Sequence, residues 1–295
     1  MTYDDNRTKR SGWRYRYYEK QAGWTLKRLR LHGGLTLFWI TIVTKCIMGL
    51  IDYSSLSDFI ADVISGILMG LIFGGAFMLA MNYMARHSQV YKTEITEGYS
   101  DKLIEQLRDY EKVTPVTASS VALAYNFRGE FRESLEELKK VNAYSLHINP
   151  NGAHNYFAAL LQACLLAGDT ESAKAAYENG FYYLKTYMNN PISGAHVSLS
   201  LAVYEYFNGR SDLSLNLIDN AFRLLNEGYE SEQRIPDENL RSILSYWRAK
   251  NLIVSGNETE ALKMLSNCEN YYKTDYYRKK IDELKKELNE NEAIS

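Results

Sequence analysis

The chain has 295 residues, enough for one large domain or two modest ones, and a formal net charge of −2 at pH 7. The charge is unevenly distributed: residues 1–33 carry +6, residues 34–83 carry −2 and residues 84–295 carry −6. Because phosphate groups are neutralised by Lys and Arg, the acidic body argues against nucleic acid as the main partner.

Residues 1–33 form a basic segment in which aromatic residues are mixed with Arg and Lys, as in GWRYRYYEKQAGW at 12–24. Aromatic and apolar side chains can enter a membrane interface while Lys and Arg contact anionic lipid headgroups. The same mixture occurs in proteins that bind nucleic acids. Because an apolar run follows directly, we interpret the segment as a cytoplasmic head that contacts lipid.

Two apolar runs follow, Leu35–Ile51 and Phe59–Met84. A helix needs about 20 apolar residues to cross a bilayer; the second run has that length with Asp62 as its one charge, and the first is slightly short. A secretory signal peptide fits poorly, because 34 residues precede the first run and no small-residue cleavage site follows it. A soluble buried hairpin fits poorly because the second run is apolar on all sides. We predict a two-helix transmembrane hairpin over residues 34–84.

The flanks of the two runs predict the orientation of this hairpin. Arg and Lys are frequent before the first run, Arg86 and His87 follow the second, and the loop YSSLSD between them has neither Lys nor Arg. Positively charged flanks stay in the cytoplasm. We therefore expect a two-pass protein of the plasma membrane, interpreted as bacterial, with both termini in the cytoplasm.

Each apolar run contains a charged residue, Lys45 in the first and Asp62 in the second. Counted from the loop, Lys45 lies about 10 Å deep and Asp62 about 6 Å deep at 1.5 Å per residue. A lysine side chain can extend outward, so the two charges can meet near the outer leaflet. Such charges are candidates for an ion or proton pathway. We favour a structural pair that sets the register of the hairpin, because no further acidic or His residue continues the line inward.

The second apolar run carries glycines at a spacing of four residues: Gly66, Gly70 and Gly74. This spacing predicts a smooth helix face that another helix backbone can approach closely. The first helix of the hairpin, a second copy of the chain or a helix of a partner membrane protein could occupy this face. We favour the first helix of the hairpin, because the connecting loop is short.

Four segments of the remaining chain align without gaps on a central glycine. A small residue follows each glycine after five positions and a large one after nine. The glycines are Gly129, Gly168, Gly209 and Gly256, the small residues Ser134, Ala173, Ser214 and Ala261, and the large residues Leu138, Tyr177, Ile218 and Leu265. Glycine ends a first helix in the left-handed conformation, and the small residue lets a second helix pack on it. The pattern predicts helix pairs at approximately 114–127/131–143, 152–167/170–187, 193–208/211–227 and 237–255/258–272.

One proline precedes the first helix of each pair, where its missing N–H costs little. The four are Pro115, Pro150, Pro191 and Pro236. Two further helices are expected outside the repeats: one within 98–112, in a linker spanning 85–113, and an amphipathic one at 275–290. The latter belongs to a segment, 273–295, that we interpret as the polar cap and tail of the repeats.

The pattern over 115–272 resembles the tetratricopeptide repeat (TPR) family. In three first helices a small residue occupies the position where that family favours Gly or Ala; these residues are Ala122, Ala202 and Ala249. Tyr125 matches the aromatic position of the family in the first repeat. The resemblance implies an all-α protein in which a TPR-like α-solenoid of about four helical hairpins, at 114–272, follows the membrane hairpin.

In TPR proteins the first helices line a groove that takes peptides or partner helices, and the resemblance implies the same here. Candidate groove residues are selected by their place on the predicted first helices. They are Tyr125, Asn126, Asn155, Tyr156, His196, Tyr204, Arg248 and Asn251.

No sequence motif indicates catalysis or a cofactor. Nucleophile-elbow, P-loop, dinucleotide-binding and zinc-protease motifs are all missing from the sequence. His147 and His154, with Cys164, do not have the spacing of metal ligands. All three cysteines, Cys46, Cys164 and Cys268, are interpreted as reduced small hydrophobic residues. We therefore expect neither enzymatic activity nor a bound metal or cofactor.

These patterns together predict a scaffold or adaptor that binds protein or peptide partners through its repeats and lipid through 34–84 and the basic head. Two alternatives remain open at this level. One is an accessory or regulatory subunit of a membrane transport or export complex, in which the glycine face and Lys45 contact another membrane protein. The other is a peptide-sensing regulator, in which the repeats close around a bound peptide.

Overall fold

The computed structural model describes residues 26–51, 55–108, 114–148, 150–191, 193–230, 238–266 and 275–294. In these ranges the chain forms thirteen α-helices and no strand, so the predicted all-α class is confirmed. Most of the basic head, Pro236 and Cys268 lie outside the described residues, as do the side chains of Arg86 and His87.

The helices are labelled in chain order. They are α1 (Leu26–Ile51), α2 (Leu56–Glu97), α3 (Asp101–Arg108), α4 (Pro115–Arg128), α5 (Phe131–Lys139), α6 (Ala143–Ile148), α7 (Pro150–Leu166), α8 (Thr170–Tyr187), α9 (Gly194–Phe207), α10 (Ser211–Glu230), α11 (Glu238–Val254), α12 (Glu258–Ser266) and α13 (Asp275–Ile294).

The described helices fall into two compact units that divide within α2, between Lys92 and Thr93. The first unit holds the two apolar helices. Segments His32–Ile51 of α1 and Leu56–Met81 of α2 are long and apolar enough to cross a membrane, and only 11% and 17% of an 18-residue apolar stretch in each are buried. A core helix of a soluble protein would be mostly buried, so these helices differ from one.

α2 is longer than the predicted span. It continues past Met84 to Glu97 and ends at Gly98, whose φ of 66° breaks the helix. The predicted linker therefore begins as a direct extension of the apolar helix, and only its second part forms the separate helix α3. Leu103 and Ile104 of α3 are buried, and α3 packs against α4.

The second unit contains four helical hairpins, α4/α5, α7/α8, α9/α10 and α11/α12, close to the predicted bounds. The four glycines that end the first helices have φ angles of 79°, 82°, 71° and 78°, so the predicted left-handed turn is confirmed at every position. At each turn the glycine N–H donates to the carbonyl three residues earlier, and the next N–H donates to the carbonyl five residues before its own residue. These two bonds satisfy the last carbonyls of the helix.

The helix starts follow from their capping residues. Thr114 and Thr117 form a capping box before α4, with Pro115 at the first helical position. The Asp169 carboxylate accepts a hydrogen bond from the Ser172 N–H at 2.9 Å at the start of α8. Pro150 is the first residue of α7, as its missing N–H predicts.

Small residues lie where the two helices of each hairpin meet. Ser134, Ala173, Ser214 and Ala261 are all fully buried. The large residues nine positions after the glycines are also buried in three hairpins, and Tyr177 is half-buried in the second. The apolar residues two positions before the glycines are less uniform, because Phe127 is buried whereas Phe207 and Val254 are 47% and 61% exposed.

The four first helices form a row in which α4 packs against α7, α7 against α9 and α9 against α11. One helix in this unit was not predicted: α6 lies between the first two hairpins, and α5 ends at Lys139 rather than at residue 143. The apolar stripe of α13 is buried as expected, at Tyr277, Ile281, Leu284 and Leu288. α13 packs against α11 and α12, as a terminal cap would, and also against α4.

Candidate functional site

The two apolar helices pack together through glycines. Gly66, Gly70 and Gly74 of α2 are buried, and α1 lies on the face that they share. A methyl group at position 70 would lie 2.9 Å from the Phe38 ring, and one at position 74 would lie 2.8 Å from the carbonyl oxygen of Gly34. The two backbones therefore approach as closely as glycine permits. Since α1 fills this face within the chain, a second copy or a partner helix would reach it only by displacing α1.

Lys45 and Asp62 face each other across the same hairpin. The Lys45 Nζ lies 4.0 Å from Asp62 Oδ1, and 31% and 40% of the two side chains are exposed. Glycines make room for both: a methyl group at position 66 would lie 2.8 Å from Lys45 Cβ, and one at position 49 would lie 3.2 Å from Asp62 Cβ. A shift of α1 along α2 would separate the charges, so the pair favours one register.

The eight groove candidates are distributed evenly over the first helices of the four hairpins. They are Tyr125 and Asn126 on α4, Asn155 and Tyr156 on α7, His196 and Tyr204 on α9, and Arg248 and Asn251 on α11.

Two of these candidates, Asn126 and Asn251, are fully buried and join neighbouring hairpins. Asn126 Nδ2 donates a hydrogen bond to the Ala159 carbonyl at 2.9 Å. Asn251 Nδ2 donates to the Ser214 hydroxyl at 2.9 Å, and that hydroxyl donates to the Ala202 carbonyl at 2.8 Å. Both amides therefore hold helices together and present no atom to a ligand in a groove.

A third buried bond of this kind involves Gln162, which sequence reasoning missed. Its Nε2 donates to the Ser200 hydroxyl at 2.7 Å and joins the second hairpin to the third. Each neighbouring pair of hairpins thus has one buried bond from an amide side chain. A glutamine in the middle of the apolar segment ALLQACLL was the signal that could have indicated it.

Tyr125 and Arg248 are partly exposed and are engaged in polar contacts. The Tyr125 hydroxyl accepts a hydrogen bond from Arg108 at 3.0 Å, and Arg108 also pairs with the buried Glu137. Burial opposes ionisation of Glu137, but hydrogen bonds from Lys140 and Arg108 hold its pKa below the usual value. Arg248 pairs with Asp219 of α10 at 2.5 Å.

Tyr204, His196 and Asn155 are half-buried. The Tyr204 ring stacks on Tyr177 of the preceding hairpin with centroids 4.3 Å apart. The His196 ring stacks on Phe127 at 5.9 Å. These rings therefore contribute both to packing between hairpins and to the accessible surface.

Tyr156 lines a cleft of about 760 Å³ between α5, α6, α7 and α8. The cleft is mostly apolar, with polar groups that include Lys139, His147 and Asp169. Burial raises the pKa of the Tyr156 hydroxyl, and burial together with the Asp169 charge raises the pKa of the Cys164 thiol to about 11. The thiol is therefore protonated at neutral pH and is a poor nucleophile.

The start of α13 forms an aromatic cluster that sequence reasoning did not identify as a site. Tyr276 lies directly against Gly129, and its ring centroid is 5.6 Å from that of Phe131 in the first hairpin. The Tyr277 ring lies 5.5 Å from Tyr246 in the fourth hairpin. Burial raises the pKa of both the Tyr246 and Tyr277 hydroxyls, so both stay neutral. The aromatic pairs at 246–247 and 276–277 were the available sequence signal.

The described residues offer surfaces for binding. Among them, no group of three His, Cys, Asp or Glu side chains is close enough to hold a metal ion. Their notable features are the cleft beside α6, the aromatic cluster under α13 and the apolar exterior of α1 and α2. No protein-family model, no curated protein and no solved structure matches this chain.

Proposed function

We propose that this protein is a membrane-anchored scaffold or adaptor whose TPR-like repeats face the cytoplasm and recruit protein or peptide partners. One observation supports the proposal above all: the same hydrogen-bonded turn recurs four times in the unit that follows the two apolar helices. The turns lie at Gly129, Gly168, Gly209 and Gly256. A row of first helices offers an extended surface of the kind that repeat proteins use for binding.

The apolar exterior of α1 and α2 supports the anchoring role. Large side chains point outward along both helices; Ile51 is 75% exposed and Leu79 is 72% exposed. Soluble monomers rarely expose apolar patches this extensive, whereas lipid accepts them without cost. Tethering at a membrane would raise the effective concentration of bound partners there without any chemical step.

Reporter fusions test the expected topology of this anchor. A reporter that is active only in the cytoplasm, fused after Ser295 of the full chain, should be active. A reporter that is active only outside the membrane should gain activity when it is inserted after Ser55 in the loop between α1 and α2. The reverse pattern would contradict the proposed orientation.

Photo-crosslinking in intact membranes tests the recruiting role. A photoreactive amino acid at Asn155 of α7 samples the row of first helices, and one at the exposed Lys174 of α8 is the matched control on a second helix. We expect cytoplasmic proteins to be captured from Asn155 and not from Lys174. Capture of a partner only from Trp39, on the exterior of α1, would contradict recruitment through the repeats.

A second candidate function is an accessory subunit of a membrane transport or export complex. The partial exposure of the Lys45–Asp62 pair favours it, because a charge pair at the surface of an apolar hairpin is stabilised by a polar group of a neighbouring membrane protein. Gly70→Leu separates the two functions, since a side chain at position 70 collides with Phe38 and disrupts the hairpin. Partner capture from Asn155 should survive this change if the repeats recruit, and should be lost if the hairpin does.

A further inference from the structure

α13 joins the two ends of the row of first helices. It packs against α11 and α12 of the fourth hairpin and against α4 of the first. A helix that merely caps a row of repeats contacts the last repeat, whereas α13 contacts both ends. The surface under α13 is therefore composed of residues that are far apart in sequence, from Gly129 and Phe131 to Tyr246.

The backbone of α13 lies less close to its neighbours than the two helices of a hairpin lie to each other. Within each hairpin, small residues such as Ala173 and Ala261 allow the helix backbones to approach closely. The rings of Tyr276 and Tyr277 anchor the first turn of α13, and three aliphatic side chains further along it are buried. Large aromatic anchors beside a narrow apolar stripe are typical of interfaces between separate molecules.

The sequence of α13 is that of a helical ligand. Its buried residues are spaced by four, three and four positions; they are Tyr277, Ile281, Leu284 and Leu288. Between them lie Arg, Lys, Asp and Glu, most of them exposed, as at Asp282 and Lys286. A narrow apolar stripe at this spacing on a charged helix is the pattern by which amphipathic helices dock into grooves of partner proteins.

We propose that the surface of α4, α11 and α12 beneath α13, at the two ends of the row of first helices, is a partner-binding surface of this protein. Its partner presents an amphipathic helix with the apolar spacing of α13, and α13 competes with that helix. The proposal rests on the proposed recruiting function. It adds the kind of partner that is recruited, an amphipathic helix, and the means by which its binding is regulated, competition with α13. Because α13 is attached to α12 by a short segment, its effective concentration is on the order of millimolar, and a partner binds strongly only after α13 has left.

A peptide of residues 275–294 with a fluorescent label is the probe, and its binding to the full chain in detergent is measured by fluorescence anisotropy. Ile281→Asp places a charge at a fully buried position and releases α13. We expect this variant to bind the probe at least tenfold more tightly than the unaltered chain. The matched control is Asn289→Asp, which adds the same charge at an exposed position of α13 and should leave binding unchanged.

A second substitution locates the binding. Tyr246→Ala, introduced together with Ile281→Asp, removes the ring on which Tyr277 packs and should abolish the gained affinity. If Ile281→Asp prevents cooperative melting, Ile281→Ala with Leu288→Ala replaces it, with the same expected gain. No gain in a folded variant, or a gain that survives Tyr246→Ala, would overturn the proposal. So would a dimer of the unaltered chain that Ile281→Asp dissolves, because α13 would then serve a second copy.

These outcomes are separable from those of the proposed function. If Asn155 captures partners in membranes but Ile281→Asp gains no affinity for the probe, the recruiting role stands and the role of α13 is wrong. If the probe binds as expected but no position on the repeats captures a cytoplasmic protein, the binding surface stands and recruitment is wrong.

Discussion

Asn126 Nδ2 donates a hydrogen bond of 2.9 Å to the backbone carbonyl of Ala159, and both residues are fully buried. The bond joins α4 of the first hairpin to α7 of the second. Corresponding bonds from Gln162 and Asn251 join the later hairpins. Other polar contacts between hairpins, such as the Arg248–Asp219 ion pair, are partly exposed, so these buried bonds contribute most directly to one alignment of each hairpin on the next.

Replacement of Asn126 should destabilise the repeats. Asn126→Ala removes the bond to Ala159 and leaves a gap in the core, so we expect a loss of about 1–3 kcal/mol in the free energy of unfolding. Urea denaturation followed by circular dichroism measures it. Asn155→Ala, on the same row but half-buried, is the matched control and should change stability by less than about 0.5 kcal/mol. Equal losses of unfolding free energy in the two variants would show that the buried hydrogen bond does not contribute to stability.

The glycine turns should respond to substitution in a graded way. Gly168 has a φ of 82° and open space around it, so Gly168→Ala should cost about 1–2 kcal/mol through backbone strain alone. Gly168→Asn should cost less, because Asn adopts the left-handed conformation more readily. Gly129→Ala adds a collision with Tyr276 to the same strain and should cost more than Gly168→Ala. Thermal melting of the three variants checks this order, and equal melting temperatures for the two Ala variants would contradict it.

Lys45 and Asp62 should stabilise the inserted hairpin only when both are present. Lys45→Leu leaves the Asp62 carboxylate without its partner inside the apolar hairpin, at a cost of up to about 3 kcal/mol for insertion. We expect a smaller fraction of this variant to resist extraction of membranes by alkaline carbonate. The double variant Lys45→Leu/Asp62→Leu should recover the unaltered fraction, and so should the exchange Lys45→Asp/Asp62→Lys. If Lys45→Leu inserts and assembles like the unaltered chain, the pair does not set the register.

Cys164 should be almost inert in the folded chain. With its pKa raised from 9.0 to about 11, its thiolate fraction at pH 8 falls from about one in ten to about one in a thousand. In a chain with Cys46→Ser and Cys268→Ser, alkylation at pH 8 should be at least about 100-fold slower than in urea. Fast alkylation of the folded chain would contradict the burial of this thiol.

The same shift predicts how stability depends on pH. A raised pKa favours the neutral thiol of the folded state, so its contribution is complete below pH 9 and is lost as the pH rises from about 9 to 11. The loss for a shift of this size is about 2–3 kcal/mol. The free energy of unfolding of the Cys164→Ala variant should therefore decline less over this pH range than that of the unaltered chain. An identical decline would assign the effect to other groups, such as the buried tyrosines.

Local patterns in the sequence were sufficient for most of the helices. The glycine turns, the small residues such as Ala173 and the proline at Pro115 predicted the four hairpins closely, because each depends on residues within a few positions. Sequence reasoning missed α6, whose six residues carry little periodic signal. It also missed the extension of α2 to Glu97, because polar residues after Met84 resemble a linker in composition while remaining compatible with a helix.

The depth of the groove candidates could not be predicted from sequence, since the position of a residue on a helix does not determine its burial. Asn126 and Tyr125 are neighbours on α4, yet one is fully buried and the other is partly exposed. The amide reaches the adjacent hairpin, and the crossing of the two helices decides whether it does so. A single amphipathic pattern cannot separate a face that meets the next hairpin from a face that meets solvent.

The sequence by itself determined the class of this protein: two apolar helices, four hairpins whose first helix ends at a glycine, and a charged amphipathic helix at 275–294. These features depend on local hydrogen bonding and on the period of apolar residues. Only the tertiary structure decided that α13 reaches from the fourth hairpin back to Gly129 in the first. That contact depends on the small rotations between successive hairpins, which accumulate along the row and are set by packing between residues distant in sequence.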